Sequence, residues 1–507
     1  MITLQRKNVI LLALALVLPL VQLLVQVDSF YLSDPLVKMI QVISLWKQQW
    51  QTESIIYPSY DFDPLFLLSP FNEGFIFQNQ ERLIGNYPIA FTFFYSLLAF
   101  VPFKFLPFLN FLFLLGFLKL LNDNSIKLPV LLLITFGTVV FPLLIDFSEN
   151  AIFLLLSGYG YIFLLKAFEN QNTKDWLLGN FFLGLAIWFR LEGVLFFISI
   201  QVTIFIIDFF IKKKSLVETL NPIRYIIFLI ILASFLLWNQ YSYSHPMGTR
   251  YLATIAYNSR SIWDQIMIFL SMSFTFPRSD GWSLGFFLQS PILLFALVQL
   301  SKEQLSKNQT LFYHFCISMI FLLIVGITSP NDGITLTGRY LLLLVYPLSF
   351  ILNEQIEKIQ KKKTVFSILT IWTSVCAIIV SSIFFFANKE LTKLKKEITP
   401  LNSKLIVTTN ELLSGAYGLD LIEKKVLCIK NPYLVKYLFY NIEKNMLSEF
   451  LIATVEKQTK YNQYEKGIYD SIIAESVQHG YRCTEEEHSK RILSRRCVKT
   501  NEHSENP

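Results

Sequence analysis

The chain has 507 residues, of which 53% are hydrophobic and only 16% charged, with 48 phenylalanines. That balance excludes a soluble globular protein and indicates a polytopic membrane protein. The net charge of +7 resides in lysines clustered between apolar runs, the pattern of cytoplasmic loops, so membrane lipid rather than nucleic acid is the expected surrounding partner.

Apolar stretches of span length lie at 9–27, 88–121, 128–145, 150–168, 176–189, 193–211, 223–240, 282–300, 311–327, 339–354 and 364–387. The fold class expected is therefore mostly α: a transmembrane helical bundle of about 11 spans, each near the ~20 residues needed to cross the hydrocarbon core. No small-residue cleavage site follows the first run, so it reads as an anchor rather than a signal peptide. Arg6-Lys7, Lys127, Lys174, Lys212-Lys213-Lys214, Lys302 and Lys361-Lys362-Lys363 fall on one side only if 88–121 crosses once, broken at Pro102 and Pro107. By the positive-inside rule that side is cytoplasmic, with the N-terminus inside and the C-terminus outside.

The outward segments are then 28–87, 146–149, 190–192, 241–281, 328–338 and 388–507. In the first, Leu36, Val37, Ile40, Ile43 and Leu45 give an amphipathic helix suited to the membrane surface. In 241–281 the run Ile266–Phe276 is too short to span and reads as an interfacial or re-entrant piece. The domains expected are 1–388, transmembrane and catalytic, and 389–507, a small extracytoplasmic α/β domain with a disordered end. Its strands are read at Lys404–Thr409, Lys425–Ile429 and Phe450–Val455. Of the five cysteines, Cys483 and Cys497 could pair if the tail is exported.

Ionisable residues gather at outward span ends: Asp34, Asp146 and Glu149, Arg190 and Glu192, His245 and Arg250, and Arg339 followed by Tyr340. Charges there are costly and usually have partners or functions. Arginine forks at headgroup level suit a lipid phosphate, which fits Arg250 and Arg339. A carboxylate such as Asp34 can take a proton from an attacking hydroxyl, and a single displacement would invert the reacting centre. Glu149 could orient the acceptor. Each residue also has a plainer reading. Asp34 in Ser33-Asp34-Pro35 is a good helix cap. Arg190 and Glu192 could pair across a tight turn, Arg339 could snorkel at a span end, and His245 could be an ordinary loop histidine. Asp61 and Asp63 are weak evidence for a cation site. No Walker loop, Rossmann glycine pattern or zinc-binding His pair is present; no cofactor and no metal ligand is named, and a divalent metal stays open.

These features in order resemble the integral-membrane GT-C class of glycosyltransferases, relatives of protein mannosyltransferases and the bacterial lipid A aminoarabinose transferase. The residues that carry the resemblance are Asp34 after the first span, Tyr87-Pro88 opening the second, Glu149 in the second outward loop, Gly338-Arg339-Tyr340 with Pro347, and the α/β tail. The resemblance implies a polyprenyl-phosphate-linked sugar donor, a lipid, glycan or protein acceptor on the outer face of a bacterial cytoplasmic membrane, and a first-loop base at Asp34. It maps a second acidic, catalytic position onto Glu149; the expectation of substrate contacts for Arg190, Glu192, His245, Arg250, Arg339 and Tyr340 rests on their own chemistry at the outward span ends. The chain departs from protein mannosyltransferases in having Ser-Asp-Pro where those have an Asp-Glu pair, which leaves the acceptor open. A transporter or flippase for lipid-linked oligosaccharide is the competing class. Such proteins usually carry internal repeats and mid-bilayer polar sites, and neither is legible here.

Overall fold

The computed structural model describes residues 2–29, 33–72, 74–249, 261–276, 284–330, 338–456 and 460–500. The chain divides into two compact units. One comprises Met1–Leu24, Pro88–Phe91 and Pro107–Phe384; the other comprises Val25–Tyr87, Thr92–Leu106 and Phe385–Pro507. The chain is mostly helical with a small C-terminal sheet.

Among the described residues, seven helices are long and apolar enough to cross a membrane: Lys7–Val25, Phe103–Asp123, Asn150–Asn170, Glu192–Ile211, Ile226–Tyr243, Gln309–Thr328 and Lys363–Ile398. The other four expected spans are also helical, but shorter or interrupted. Thr173–Ile187 has 15 residues, and Val345–Lys361 is entered through a 3-10 turn at Arg339–Leu344. The stretch 128–145 breaks into Leu128–Phe136 and Val140–Ile145, and 282–300 into Phe286–Gln289 and Pro291–Val298. In 88–121 the break falls where the prolines are, with a short helix Ile89–Ser96 before Phe103–Asp123.

A helix broken inside a membrane must find partners for the carbonyls that the break frees. Side chains of the first unit supply them. Ser290 Oγ donates to the carbonyl of Gly137, and Gln289 Nε2 donates to that of Thr138 at 3.0 Å. The break at 289–290 therefore supplies side-chain donors to the break at 137–138, while the carbonyl of Leu288 accepts from Trp372 Nε1 at 2.7 Å. Gln22, fully buried, donates its amide to the carbonyls of Pro107 and Ile145, each at 3.0 Å. Asn110 Nδ2 serves Leu144 and Asp146 at 2.9 Å.

The continuous helices pack through small residues. A Cβ placed on Gly160 would lie 2.5 Å from Leu183 Cγ, and one on Gly179 would lie 2.6 Å from Leu164 Cγ. Asn150–Asn170 and Thr173–Ile187 thus approach more closely than larger residues allow. Their link is a two-residue hinge, Gln171 in the left-handed region (φ 55°) and Asn172 capping the amide of Lys174. The middle of this unit is aromatic: Tyr161, Tyr313, His314, Tyr346 and Phe350 form one packed cluster.

The second unit joins the first long loop to the C-terminal tail. Helix Ser33–Lys47 is not half-exposed, as an amphipathic surface helix would be. Leu36, Val37, Met39, Ile40, Val42 and Ile43 are buried, and so are Lys38, Gln41 and Ser44 on its other faces. A hairpin, β1 (Ile76–Asn79) and β2 (Arg82–Gly85), follows. The tail strands fall where the sequence placed them: β3 (Ile406–Thr408), β4 (Val426–Cys428) and β5 (Glu449–Val455). An inner strand β8 (Ile492–Lys499), an edge strand β6 (Tyr481–Cys483) and a short β7 (Glu487–His488) complete the sheet. Its order is β4-β3-β5-β8-β6, with β3 parallel to both neighbours and β8 antiparallel to β5, β6 and β7. Helices Val435–Lys444 and Lys460–Gln478 belong to the same fold. Its apolar core takes Phe62 and Leu68 from the first long loop.

Candidate functional site

Asp63 explains how that loop is tied to the tail. One carboxylate oxygen accepts from the amide of Leu67 (2.9 Å) and the hydroxyl of Tyr437 (3.2 Å); the other accepts from the amide of Leu68 (2.8 Å) and the hydroxyl of Tyr57 (2.9 Å). Burial lifts its carboxyl above the ordinary value of 3.8, against the pull of these four donors. Burial, with Asp63 alongside, raises the Tyr437 hydroxyl to about 12. Asp61 instead pairs with Lys425 at 3.1 Å. The two aspartates serve separate structural contacts rather than one cation site. Among the described residues no three His, Cys, Asp or Glu side chains come together.

Asp34 stands in the first turn of helix Ser33–Lys47, where the helix dipole favours a carboxylate. One turn on, Lys38 Nζ lies 3.0 Å from Asp34 Oδ1. The Lys38 side chain is only 3% exposed while that of Asp34 is 35% exposed. The same ammonium stands 4.7 Å from the centre of the Tyr87 ring, a cation–π distance. A buried lysine thus fixes a carboxylate that keeps access to solvent. Lys38 is a partner of Asp34 that sequence reasoning missed, although its spacing of four residues from Asp34 was visible.

In the first unit, Arg190 joins the starts of two helices. Glu149 sits at the N-cap of Asn150–Asn170, and Glu192 is the first residue of Glu192–Phe205. Arg190 Nε donates to Glu192 Oε1 at 3.1 Å, and its Nη2 donates to the same oxygen. Nη1 donates to Glu149 Oε1 at 3.2 Å and to Asn150 Oδ1 at 2.9 Å. The expected pairing of Arg190 with Glu192 is there, and it is extended by Glu149 and Asn150. Both Arg190 and Glu149 are buried. Asn150 was also missed; its only signal was its place beside Glu149.

Tyr340 is shared by two arginines. The guanidinium carbon of Arg190 lies 5.7 Å from its ring centre and that of Arg339 lies 5.5 Å from it. Arg339 is half-buried and opens the 3-10 turn before Val345–Lys361. Glu149, Arg190, Glu192, Arg339 and Tyr340 therefore form one contiguous set. His245 is half-buried in a turn after Ile226–Tyr243, where its Nδ1 accepts from the amide of Met247 at 3.2 Å. Arg250 lies outside the described residues.

A mostly helical chain with broken helices and a C-terminal α/β sheet shares its fold with a solved membrane protein. Among solved structures, the chain is similar to ArnT, the aminoarabinose transferase of Cupriavidus metallidurans, bound to undecaprenyl phosphate. The TM-score is 0.51 at 9% identity, over 96% of this chain and 97% of that one. The oligosaccharyltransferase of Archaeoglobus fulgidus, tethered with an acceptor peptide, matches at a TM-score of 0.48 and 9% identity, over 96% of this chain and 73% of that one. No family model matches, and no curated protein matches in sequence. The chain is an integral, multi-pass membrane protein.

Proposed function

We propose that this chain is a membrane glycosyltransferase that moves a sugar from a polyprenyl-phosphate carrier to a hydroxyl-bearing lipid, glycan or protein at the outer face of a bacterial cytoplasmic membrane. The observation that carries the reading is the likeness along almost the whole length to ArnT, a protein that holds undecaprenyl phosphate. In this reading Asp34 is the base. It takes the acceptor proton as the acceptor oxygen bonds to the anomeric carbon, while the bond from that carbon to the phosphate oxygen breaks and the lipid phosphate leaves with the electron pair. One displacement inverts the anomeric centre. Lys38, set against the Tyr87 ring, holds Asp34 in place. Arg339 and Arg250 meet the phosphate. Tyr340 lines the donor site, and His245 contributes from its turn. Glu149, held by Arg190, orients the acceptor. The α/β tail lies outside, a placement supported by the disulfide between Cys483 and Cys497, since such bonds persist in oxidising compartments.

The test is transfer by purified protein from a polyprenyl-phosphate sugar, with wild type and Asp34→Asn compared. General-base catalysis typically contributes ~10²–10⁴-fold, so the variant should lose activity on that scale while remaining inserted and folded. Full activity in Asp34→Asn would reduce Asp34 to a helix cap.

A further inference from the structure

The second unit contains a cavity that the transfer chemistry does not use. Its volume is about 410 Å³, and it lies beyond the carboxyl end of β3. In open α/β sheets, ligands bind outside the carboxyl ends of strands where the strand order reverses. Here β3 connects to β4 on one side and has β5 on the other, so β3 is that central strand. Thr409 at its end donates to or accepts from Thr454 of β5 at 2.6 Å.

The lining has a definite chemistry. Asn410, Glu411, Leu412, Lys430, Tyr464 and Glu465 face it. The side-chain Oδ1 of Asn410 accepts from the amide of Leu412 at 2.7 Å, and its Nδ2 donates to Glu465 Oε1 at 2.7 Å. Asn410 thus caps the following helix with its oxygen and holds Glu465 with its nitrogen. The second carboxylate oxygen, Glu465 Oε2, is buried with no hydrogen-bond partner. Burial also lifts this carboxyl above its ordinary value of 4.5. Buried acceptors without donors are rare and call for an explanation. Lys430 pairs with Glu411 and donates to the carbonyl of Asn72. The Tyr464 side chain is 57% exposed and Leu412 is 55% exposed, so the rim presents an aromatic ring and an apolar group to solvent.

These groups select among ligand classes. Two carboxylates against one ammonium that is already engaged disfavour a phosphate or carboxylate ligand. A purely apolar ligand would offer the carboxylates of the lining no donor. A polyol supplies hydroxyl donors to the two carboxylates, and the C–H face of a pyranose ring can lie on Tyr464 and Leu412. The volume falls within the ~300–1,000 Å³ of small-molecule sites and has room for one or two such rings. We propose that this cavity is a binding site for a neutral carbohydrate, held by hydrogen bonds to Glu465 and Glu411 and by stacking on Tyr464. The inference concerns binding alone and stands without the transferase reading.

The experiment is saturation-transfer NMR on the full chain in lipid nanodiscs free of glycoside detergent. The probes are methyl β-D-glucopyranoside and N,N′-diacetylchitobiose, with inorganic phosphate as the anionic control. At least one sugar should receive saturation at millimolar concentration. The effect should fall roughly fivefold or more in Tyr464→Ala and in Glu465→Ala, the loss expected for a contact of ~1 kcal/mol. Leu412→Trp, which fills the cavity from an exposed position, should abolish it while melting like wild type. Absence of transfer to both sugars overturns the proposal. So does transfer that none of the three variants alters, and so does a site that binds phosphate and excludes both sugars.

Discussion

Arg190 and Glu149 are 41 residues apart in sequence, yet the guanidinium Nη1 lies 3.2 Å from the Glu149 carboxylate and both side chains are buried. Removing one partner of a buried pair leaves an uncompensated charge, at a cost of ~3–5 kcal/mol. Arg190→Gln would strand Glu149 and Glu192 together. A marked drop in the melting temperature of the detergent-solubilised protein is expected, and Arg190→Lys should recover only part of it, since an ammonium cannot reproduce the fork. A variant melting with wild type would mean that the two helix starts do not depend on this contact.

Arg339 should report on the lipid phosphate. Binding to the folded state raises apparent stability in proportion to the logarithm of ligand over dissociation constant. Titration with polyprenyl phosphate should raise the melting temperature of wild type saturably and that of Arg339→Ala much less. Equal affinity in the two proteins would remove Arg339 from the phosphate site, and no response in either would turn attention to the transporter class.

Asp63 accepts four hydrogen bonds, from Leu67, Leu68, Tyr57 and Tyr437. In Asp63→Asn, the amide nitrogen would face two of those donors. At neutral pH the expected loss is ~1–3 kcal/mol, read as earlier unfolding of the α/β unit. The pH dependence has a fixed sign. The folded carboxyl titrates above the ordinary value of 3.8, so between those two values the native state keeps a proton that the unfolded chain has released. The stability of wild type relative to Asp63→Asn is therefore greatest below 3.8 and declines as pH rises through the folded value. A difference that instead grew with pH across that window would contradict the burial of this carboxyl.

The disulfide Cys483–Cys497 closes a loop with a sequence separation of 14 and joins β6 to β8. Loop-closure entropy for ~15 residues gives about 3 kcal/mol. Cys483→Ser should lower the unfolding temperature of the tail, and a reductant should do the same to wild type but nothing more to the variant. Identical melting in all three conditions would show that the sheet holds its edge without the bond.

Sequence alone carried far here where the physics is local. Span-length apolar runs located the helices because a hydrocarbon core sets their length. Alternation and β-branched runs located β3, β4 and β5, and the pairing of Arg190 with Glu192 lay within one turn. The order of these features was enough to suggest the GT-C fold. Other properties were decided by tertiary structure. Gly137 and Ser290-Pro291 are local signals for a break, but nothing local shows that the Ser290 hydroxyl takes up the freed carbonyl of Gly137 across the bundle. The exposure of helix Ser33–Lys47 could not be read from its pattern, since burial on its polar faces depends on residues brought in from elsewhere, such as Tyr87 against Lys38. Asp63 read as a loop carboxylate until Tyr437, 374 residues later, came within 3.2 Å of it. The apolar count and its periodicity are properties of the chain; the partner of a buried polar group is a property of the fold, because satisfying it takes atoms that sequence distance does not reveal.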